Sequence, residues 1–323
     1  MMAAEIVTIS KTDDGTRLQR WMVRNYPSMP LREFYKLCRG GQIRVNSKRV
    51  HGREILNAGD AIRIPPTIAG FATQLHKSSS GDKFSLSDLE QLRKCIIHND
   101  DDIVVFNKPA GLAVQGGTGI RKSVDKMAAA LFPYDKISLV HRLDRETSGL
   151  LVVAKNQRAA QNLSAQFQNK EAHKEYLALL NGAVKPVKGV IDNYMIKGQV
   201  LDTPERTNGG AGQRPQRAIT NYQVLANVGN ISWVQFLPMT GRTHQLRLHS
   251  AFTLGAPIVG DMLYGRNHKV DDALASMLIT NNLFLFAYKL TFQHPATGRM
   301  MTLRAAVPDF MVPVIKLLEL KVP

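Results

Sequence analysis

Apolar residues recur at two different periods in the first part of the chain. Leu18, Trp21 and Met22 follow helical spacing, and a second helical pattern runs through Phe34, Leu37 and Cys38 until Gly40 and Gly41 stop it. The stretches "QIRVN", "KRVHG" and "AIRIPP" instead alternate apolar with charged residues, which predicts short, half-exposed strands. Residues 67–90 change texture: Ser, Gly and Lys cluster in "HKSSSGDK", as in a linker. Beyond them, "DIVVFNKPAG" and "GLLVVAKN" are apolar runs of strand length, and residues 157–169 place Ala160, Leu163 and Phe167 on one helical face. "HKEYLALLNG" follows as a strand ending at Gly182, and "TNYQVLANVGNISWVQFLPM" predicts a hairpin turning near Gly229 and Asn230. The stretch from Gly198 to Arg217, rich in Gly, Pro and Arg, reads as a mobile basic loop. The pattern therefore predicts a small α/β domain over 1–66, a linker over 67–90 and an α+β domain over 91–323 with a mixed, largely antiparallel sheet.

Charge narrows the class of partner. The 323 residues carry 42 Lys and Arg against 26 Asp and Glu, a formal net charge of +16, and residues 1–66 alone hold twelve basic against six acidic side chains. Such an excess favours a polyanion, most often nucleic acid. An anionic membrane surface would answer the same charge. However, no apolar stretch approaches the ~20 residues of a spanning helix, and no apolar leader follows Met1. Glu5, Asp13 and Asp14 argue against a transit peptide, so the expected address is the cytoplasm or another reducing compartment. Cys38 and Cys95 stand far apart, without the spacing of a disulfide framework or a thiolate metal site.

The first 66 residues resemble the S4 RNA-binding domain. The likeness rests on Arg17-Leu18 at the first helix, on "LREFYKLCRGGQIRVNSKRV", and on Gly59-Asp60-Ala61-Ile62. Gln19 stands where such domains often have Asp, and Ser47 where Gly is usual. The resemblance implies an RNA-binding module, and Arg17, Arg20, Arg39, Arg44, Lys48 and Arg49 are its expected RNA contacts.

Four later segments carry unusual chemistry: "NKPAGLAVQGG", "HRLDRETSG", "HKEYLAL" and "PMTGRTHQLRLH". Singly, each has an ordinary explanation. An Asp among arginines is usually a surface ion pair, and a Tyr opening a strand is usually a packed side chain. His244 and His249 are five apart with no carboxylate in that segment, which does not suit a metal.

Together, over residues 94–310, the segments resemble the RluA family of pseudouridine synthases. The signature "HRLD-x-x-T-S-G-L" is complete from His141 to Leu150, "G-R-T-H-Q-x-R-x-H" is complete from Gly241 to His249, and "GAPIVGDMLYG" continues it. The resemblance implies that Asp144 is the essential carboxylate in converting uridine to pseudouridine, where a glycosidic C–N bond breaks and the uracil rejoins through carbon. It supplies Arg247 as the fixed cation able to meet that carboxylate bidentately. Tyr176 is the tyrosine expected to stack on the target base and act in proton transfer. Arg142 matches the residue that holds open the RNA where the base has left, or else braces its own loop. Lys108 and Pro109 are expected to support the site structurally. Thr243 and Gly255 read as the start and stop of a helix carrying Arg247, with a strand over 243–249 as the competing possibility. The expectation is a monomeric isomerase of large-subunit ribosomal RNA working with neither cofactor nor metal. Transfer RNA as substrate, or a non-catalytic role in ribosome assembly, are the rivals.

Overall fold

The computed structural model describes residues 4–9, 15–26, 29–71, 84–117, 119–133, 135–196, 198–203, 214–265 and 282–323. The chain divides into two compact units, Met1–Asp82 and Lys83–Pro323.

In the first unit, strand β1 (Glu5–Thr8) precedes helices α1 (Leu18–Asn25) and α2 (Leu31–Arg39), followed by β2 (Arg44–Val45), β3 (Lys48–Arg49) and β4 (Ala61–Ile64). The strands pair antiparallel in the order β1-β4-β2-β3. Leu18, Trp21 and Met22 of α1 meet Phe34, Leu37 and Cys38 of α2, with Ile43, Leu56, Ile62 and Ile64 completing the core. Burial of each large apolar side chain contributes roughly 1.5–3 kcal/mol. The turn joining β2 to β3 places Asn46 at φ 49° and Ser47 at φ 65°. Two consecutive positive φ values are the signature of a tight hairpin turn whose backbone twist matches its strands. Asn46 suits it: its side chain accepts from the Ala61 amide at 2.9 Å and donates to Asp60 at 2.7 Å. Ser47 fills a position where glycine would sit without strain.

The second unit opens with α3 (Leu86–Lys94), which begins inside the stretch that composition marks as linker. The reason is local. Ser85 and Asp88 form a reciprocal capping box, each side chain accepting from the other's backbone amide. Residues 72–83, the middle of that stretch, lie outside the described residues. Next come β5 (Ile96–Asn99), β6 (Ile103–Lys108), α4 (Val124–Leu131), β7 (Ser138–Leu139), β8 (Ser148–Ala154), α5 (Gln157–Gln168), β9 (His173–Asn181), β10 (Lys188–Ile196) and β11 (Gln199–Leu201). They are followed by β12 (Gln216–Val228), β13 (Ile231–Pro238), α6 (Gln245–Leu248), β14 (Leu285–Gln293), β15 (Met300–Arg304) and α7 (Val312–Leu317). The stretch expected to be a mobile loop carries strand at both ends, in β11 and the start of β12. Its middle, 204–213, lies outside the described residues. The α5 face turns slightly from the expected one: Ala159, Leu163 and Gln166 are buried, while Ala160 and Phe167 pack at the core's margin. Gln166 can face inward because its amide bonds the backbone of Gln293 in both directions, at 2.8 Å each.

These strands form one sheet in the order β11-β10-β12-β13-β9-β14-β8-β6-β5, with β15 added to β14 and β7 to β8. Every pairing in it is antiparallel except β8 with β14. That parallel joint is where the HRLD loop enters the sheet. Gly149 sits there at φ +104°, and a Cβ on it would lie 2.3 Å from the Ala287 carbonyl oxygen, so no side chain fits.

Candidate active site

The HRLD loop is held from beneath. Lys108, fully buried at the end of β6, donates to the carbonyls of Pro109 (2.9 Å), Leu112 (2.8 Å) and Arg145 (3.0 Å). Burial pushes its ammonium down to about 7, opposed by the carboxylates of Glu146 and Asp144. Three carbonyls for three N–H donors is the arrangement that suits the protonated form. Gly111 ties the same loop again: its amide donates to the Arg145 carbonyl, and its carbonyl accepts from Arg145 Nε, both at 2.9 Å. Arg145 therefore braces the loop through its Nε while its side chain stays largely exposed. His141 is structural too. Its ring stacks on Phe167 with centroids 4.4 Å apart, and its Nε2 accepts from the Val152 amide at 3.0 Å. Burial, aided by the nearby Lys174 charge, pushes His141 down to about 3, which keeps that acceptor unprotonated.

Above this support lies a cavity of about 480 Å³ lined by Arg142, Asp144 and Thr147 from the loop, Lys174 and Tyr176 from β9, and Arg247 from α6, among others. Sheet register explains why loop and tyrosine meet. Ala287 of β14 pairs with Gly149 on one side and with Tyr176 on the other. Phe236 of β13 pairs with Tyr176 in turn, so the chain leaving β13 passes through Pro238 and Thr240 along the cavity wall before reaching α6. The Asp144 carboxylate accepts no hydrogen bond among the described residues. Its charge is felt by Lys108, Tyr176, His244, Arg247 and Tyr264. Burial, reinforced by Asp144, raises the Tyr176 phenol well above its ordinary value, so at neutral pH it is a proton donor. Arg142 is exposed and Lys174 half-buried. Neither side chain has a hydrogen bond or ion pair among the described residues.

Arg247 lies in a helix, as the Thr243-to-Gly255 pattern predicts: α6 runs on as a π-helical turn, His249–Thr253. Arg247 is 5 % exposed. Its bidentate partner corrects the expectation: Nε and Nη2 grip Asp261 at 2.7 and 2.6 Å, not Asp144. Asp261 is the better placed acceptor because its own turn presets it, Oδ1 also taking the amides of Leu263 (2.9 Å) and Tyr264 (3.0 Å). Burial opposes the Arg247 charge, but the Asp261 hydrogen bonds and charge outweigh it, and Asp144 adds to them. The Tyr264 ring lies under the guanidinium at 5.1 Å. Two of the five guanidinium N–H donors face Asp261, which leaves others for the cavity.

The remaining motif residues anchor this helix. Gln245 accepts from Thr240 Oγ1 (2.8 Å) and the Arg242 amide (3.0 Å) and donates to Thr220 Oγ1 (2.9 Å). His249 bridges Thr220 and Asn193, at 3.0 Å from each ring nitrogen. His244, at φ 56°, faces the Tyr264 hydroxyl at 2.8 Å. Burial pushes His249 down to about 4. An unfolded histidine takes up its proton near pH 6.5, so the stability that neutral His249 contributes is complete above that pH and drains away as pH falls towards about 4. We expect the melting temperature to decline across this window and His249→Gln to flatten the decline. Equal slopes for the two proteins would show that His249 is not the group being protonated.

The structure thus brings Arg142, Asp144, Tyr176 and Arg247 to one cavity. Arg17, Arg20, Arg39, Arg44, Lys48 and Arg49 lie in the other unit. Sequence reasoning missed Asp261 and Tyr264, although "GDMLYG" held the signal: a carboxylate inside an otherwise apolar run needs a cation.

Residues 102–252 match the family described as RNA pseudouridylate synthase. A protein of Vibrio vulnificus named ribosomal large subunit pseudouridine synthase C is 34% identical over 316 residues, covering 98% of this chain and 96% of its own. A protein of the same name from Haemophilus influenzae is 32% identical over 98% of this chain and 96% of its own. Among solved structures, human RNA pseudouridylate synthase domain containing 4 superposes with a TM-score of 0.60 at 29% identity, covering 73% of this chain and 97% of the other.

Proposed function

The chain belongs to the RNA pseudouridylate synthase family, and we propose that it converts uridine to pseudouridine in large-subunit ribosomal RNA with Asp144 as the essential group. The observation that carries this is the Asp144 carboxylate itself, presented to the cavity with no hydrogen bond to quench it among the described residues and a fixed cation nearby. The reaction is an isomerisation. The bond from C1′ to N1 breaks, a bond from C1′ to C5 forms, and one proton moves from C5 to N1, so no oxidant or reductant is required. A carboxylate can serve it by attacking sugar or base, or by taking a proton, and every route needs that carboxylate ionised and unencumbered. Tyr176, held protonated, offers a ring face to the base and a proton to its polar edge. Arg247, locked by Asp261, keeps positive charge beside Asp144 without collapsing onto it.

A cavity of about 480 Å³ suits one extruded nucleotide and not a duplex. Arg142, exposed at its edge and without a partner among the described residues, can enter the stack that the base vacates. Lys174 can meet a phosphate. No helix among the described residues is long and apolar enough to cross a membrane. A monomer working in the cytoplasm accords with the substrate.

The first unit we read as an S4-like RNA-binding domain. What supports this is a row of cations: Arg44 pairs with Arg49 on one side and with Arg63 on the other, so three guanidiniums stand in register across β3, β2 and β4. Like charges directly opposite one another weaken a sheet unless an anion lies over them. Arg44 and Arg63 are steadied by the carbonyls of Gly41 (2.9 Å) and Gln42 (2.8 Å). Arg63 joins the contacts anticipated from sequence. Replacing Arg44, Arg49 and Arg63 together by Gln should weaken RNA binding and lower the slope of log K against log salt by up to about 2–3. An unchanged slope would remove this face from the RNA interface.

The function is tested by incubating the protein with unmodified large-subunit ribosomal RNA and mapping pseudouridine by carbodiimide labelling and primer extension. New stops are the expected result. Their absence on ribosomal RNA with their appearance on transfer RNA would transfer the activity to that substrate.

A further inference from the structure

The cavity beside Asp144 is bordered by one buried side-chain atom that has no hydrogen-bond partner among the described residues. Thr147 is 2 % exposed and lines the cavity. Its Oγ1 is the single buried side-chain oxygen or nitrogen without a hydrogen-bond partner among the described residues. Its backbone, by contrast, is engaged: the Thr147 amide donates to the Asp144 carbonyl at 3.1 Å, closing the turn that displays the carboxylate. The adjacent Ser148 hydroxyl, equally buried, reaches the Leu285 carbonyl at 3.5 Å. An unmatched buried hydroxyl weakens a fold, and valine would fill the same volume without that penalty. A polar group that destabilises the resting protein and borders the reaction cavity is best explained by a partner that arrives with the substrate.

We propose that Thr147 is a substrate-positioning residue whose hydroxyl hydrogen-bonds an oxygen of the uridine seated against Asp144. The inference rests on the uridine-isomerase activity proposed above. Because Thr147 and Asp144 close the two ends of one tight turn, a contact made by Thr147 fixes the nucleotide relative to the carboxylate itself. Threonine is β-branched, and a step of about 120° in χ1 carries Oγ1 into the place of another Cβ substituent, so the hydroxyl can be re-aimed while the backbone of the turn stays fixed. Near-attack alignment then depends on one oxygen placed on the same rigid loop as the reacting group.

The test compares wild type, Thr147→Val and Thr147→Ser on an RNA fragment surrounding a uridine that the wild type modifies, recording single-turnover rate, RNA affinity and melting temperature. For Thr147→Val we expect a rate 10- to 100-fold lower, affinity within twofold, and a melting temperature equal to or above wild type. Thr147→Ser should restore most of the rate. A valine variant as fast as wild type would overturn the proposal, and so would a loss of rate that tracks a loss of melting temperature, since that is a structural role. Failure of the wild type to form pseudouridine in any RNA is a different outcome: it removes the isomerase activity and this contact with it.

Discussion

Asp144→Asn should abolish pseudouridine formation, with a loss on the order of 10⁴-fold or more, and leave RNA affinity within a few fold. Asparagine keeps the size of the side chain but can neither attack nor accept a proton as a carboxylate does. The loop around it would not notice. Lys108 and Gly111 hold it through the carbonyl of Arg145, and Thr147 through the backbone carbonyl of position 144, none of which the substitution alters. Affinity should also persist, because the cations proposed to meet RNA lie elsewhere: Arg142 and Lys174 at the cavity and the arginine row of the first unit. Single-turnover assays with matched binding measurements decide the matter. A variant that keeps even a hundredth of the wild-type rate would remove Asp144 from the chemistry.

Asp261→Ala should cost stability rather than binding, roughly 3–5 kcal/mol, the range for breaking a buried ion pair from one side. The two side chains are 6 % and 0 % exposed, so the Arg247 charge would be stranded with no solvent to replace its partner. The turn amides of Leu263 and Tyr264 would lose their acceptor at the same time. Chemical denaturation measures the loss. The companion variant Asp261→Asn keeps an acceptor for the amides and should fall between alanine and wild type. A change below 1 kcal/mol for alanine would mean that Arg247 finds another anion, and Asp144 is the candidate that lines the same cavity.

Much of this architecture was legible in the sequence, and the parts that were not share a physical reason. Apolar pattern located α1, α2, α5, β6, β8, β9 and the β12–β13 hairpin: the helices show an apolar face at helical spacing, and β6 and β8 are continuous apolar runs of strand length, buried almost throughout. β1 escaped since only four residues form it, and three of those are exposed. α3 hid behind a Ser- and Gly-rich approach, although the Ser85/Asp88 cap was written three residues apart. The motifs around Asp144, Tyr176 and Arg247 announced a site, but a motif names residues and not their pairings. Arg247 looked like a partner for Asp144, and only the fold reveals Asp261 from a segment fourteen residues later as the anion it grips. The arginine row was hidden likewise, for its members are adjacent by strand register and not by sequence.

The sharing of Ala287 by Gly149 and Tyr176 bears on how such a site survives divergence. Two interstrand steps, about 10 Å, separate the start of β8 from the tyrosine strand, and backbone hydrogen bonds set that spacing whatever the side chains are. The spacing between the HRLD loop and Tyr176 is thus built into the weave of the sheet and not into the identities of the residues that pack around it. Relatives that agree with this chain at only a third of their positions can exchange most of the core and still hold carboxylate and phenol the same distance apart, provided that no side chain appears at position 149.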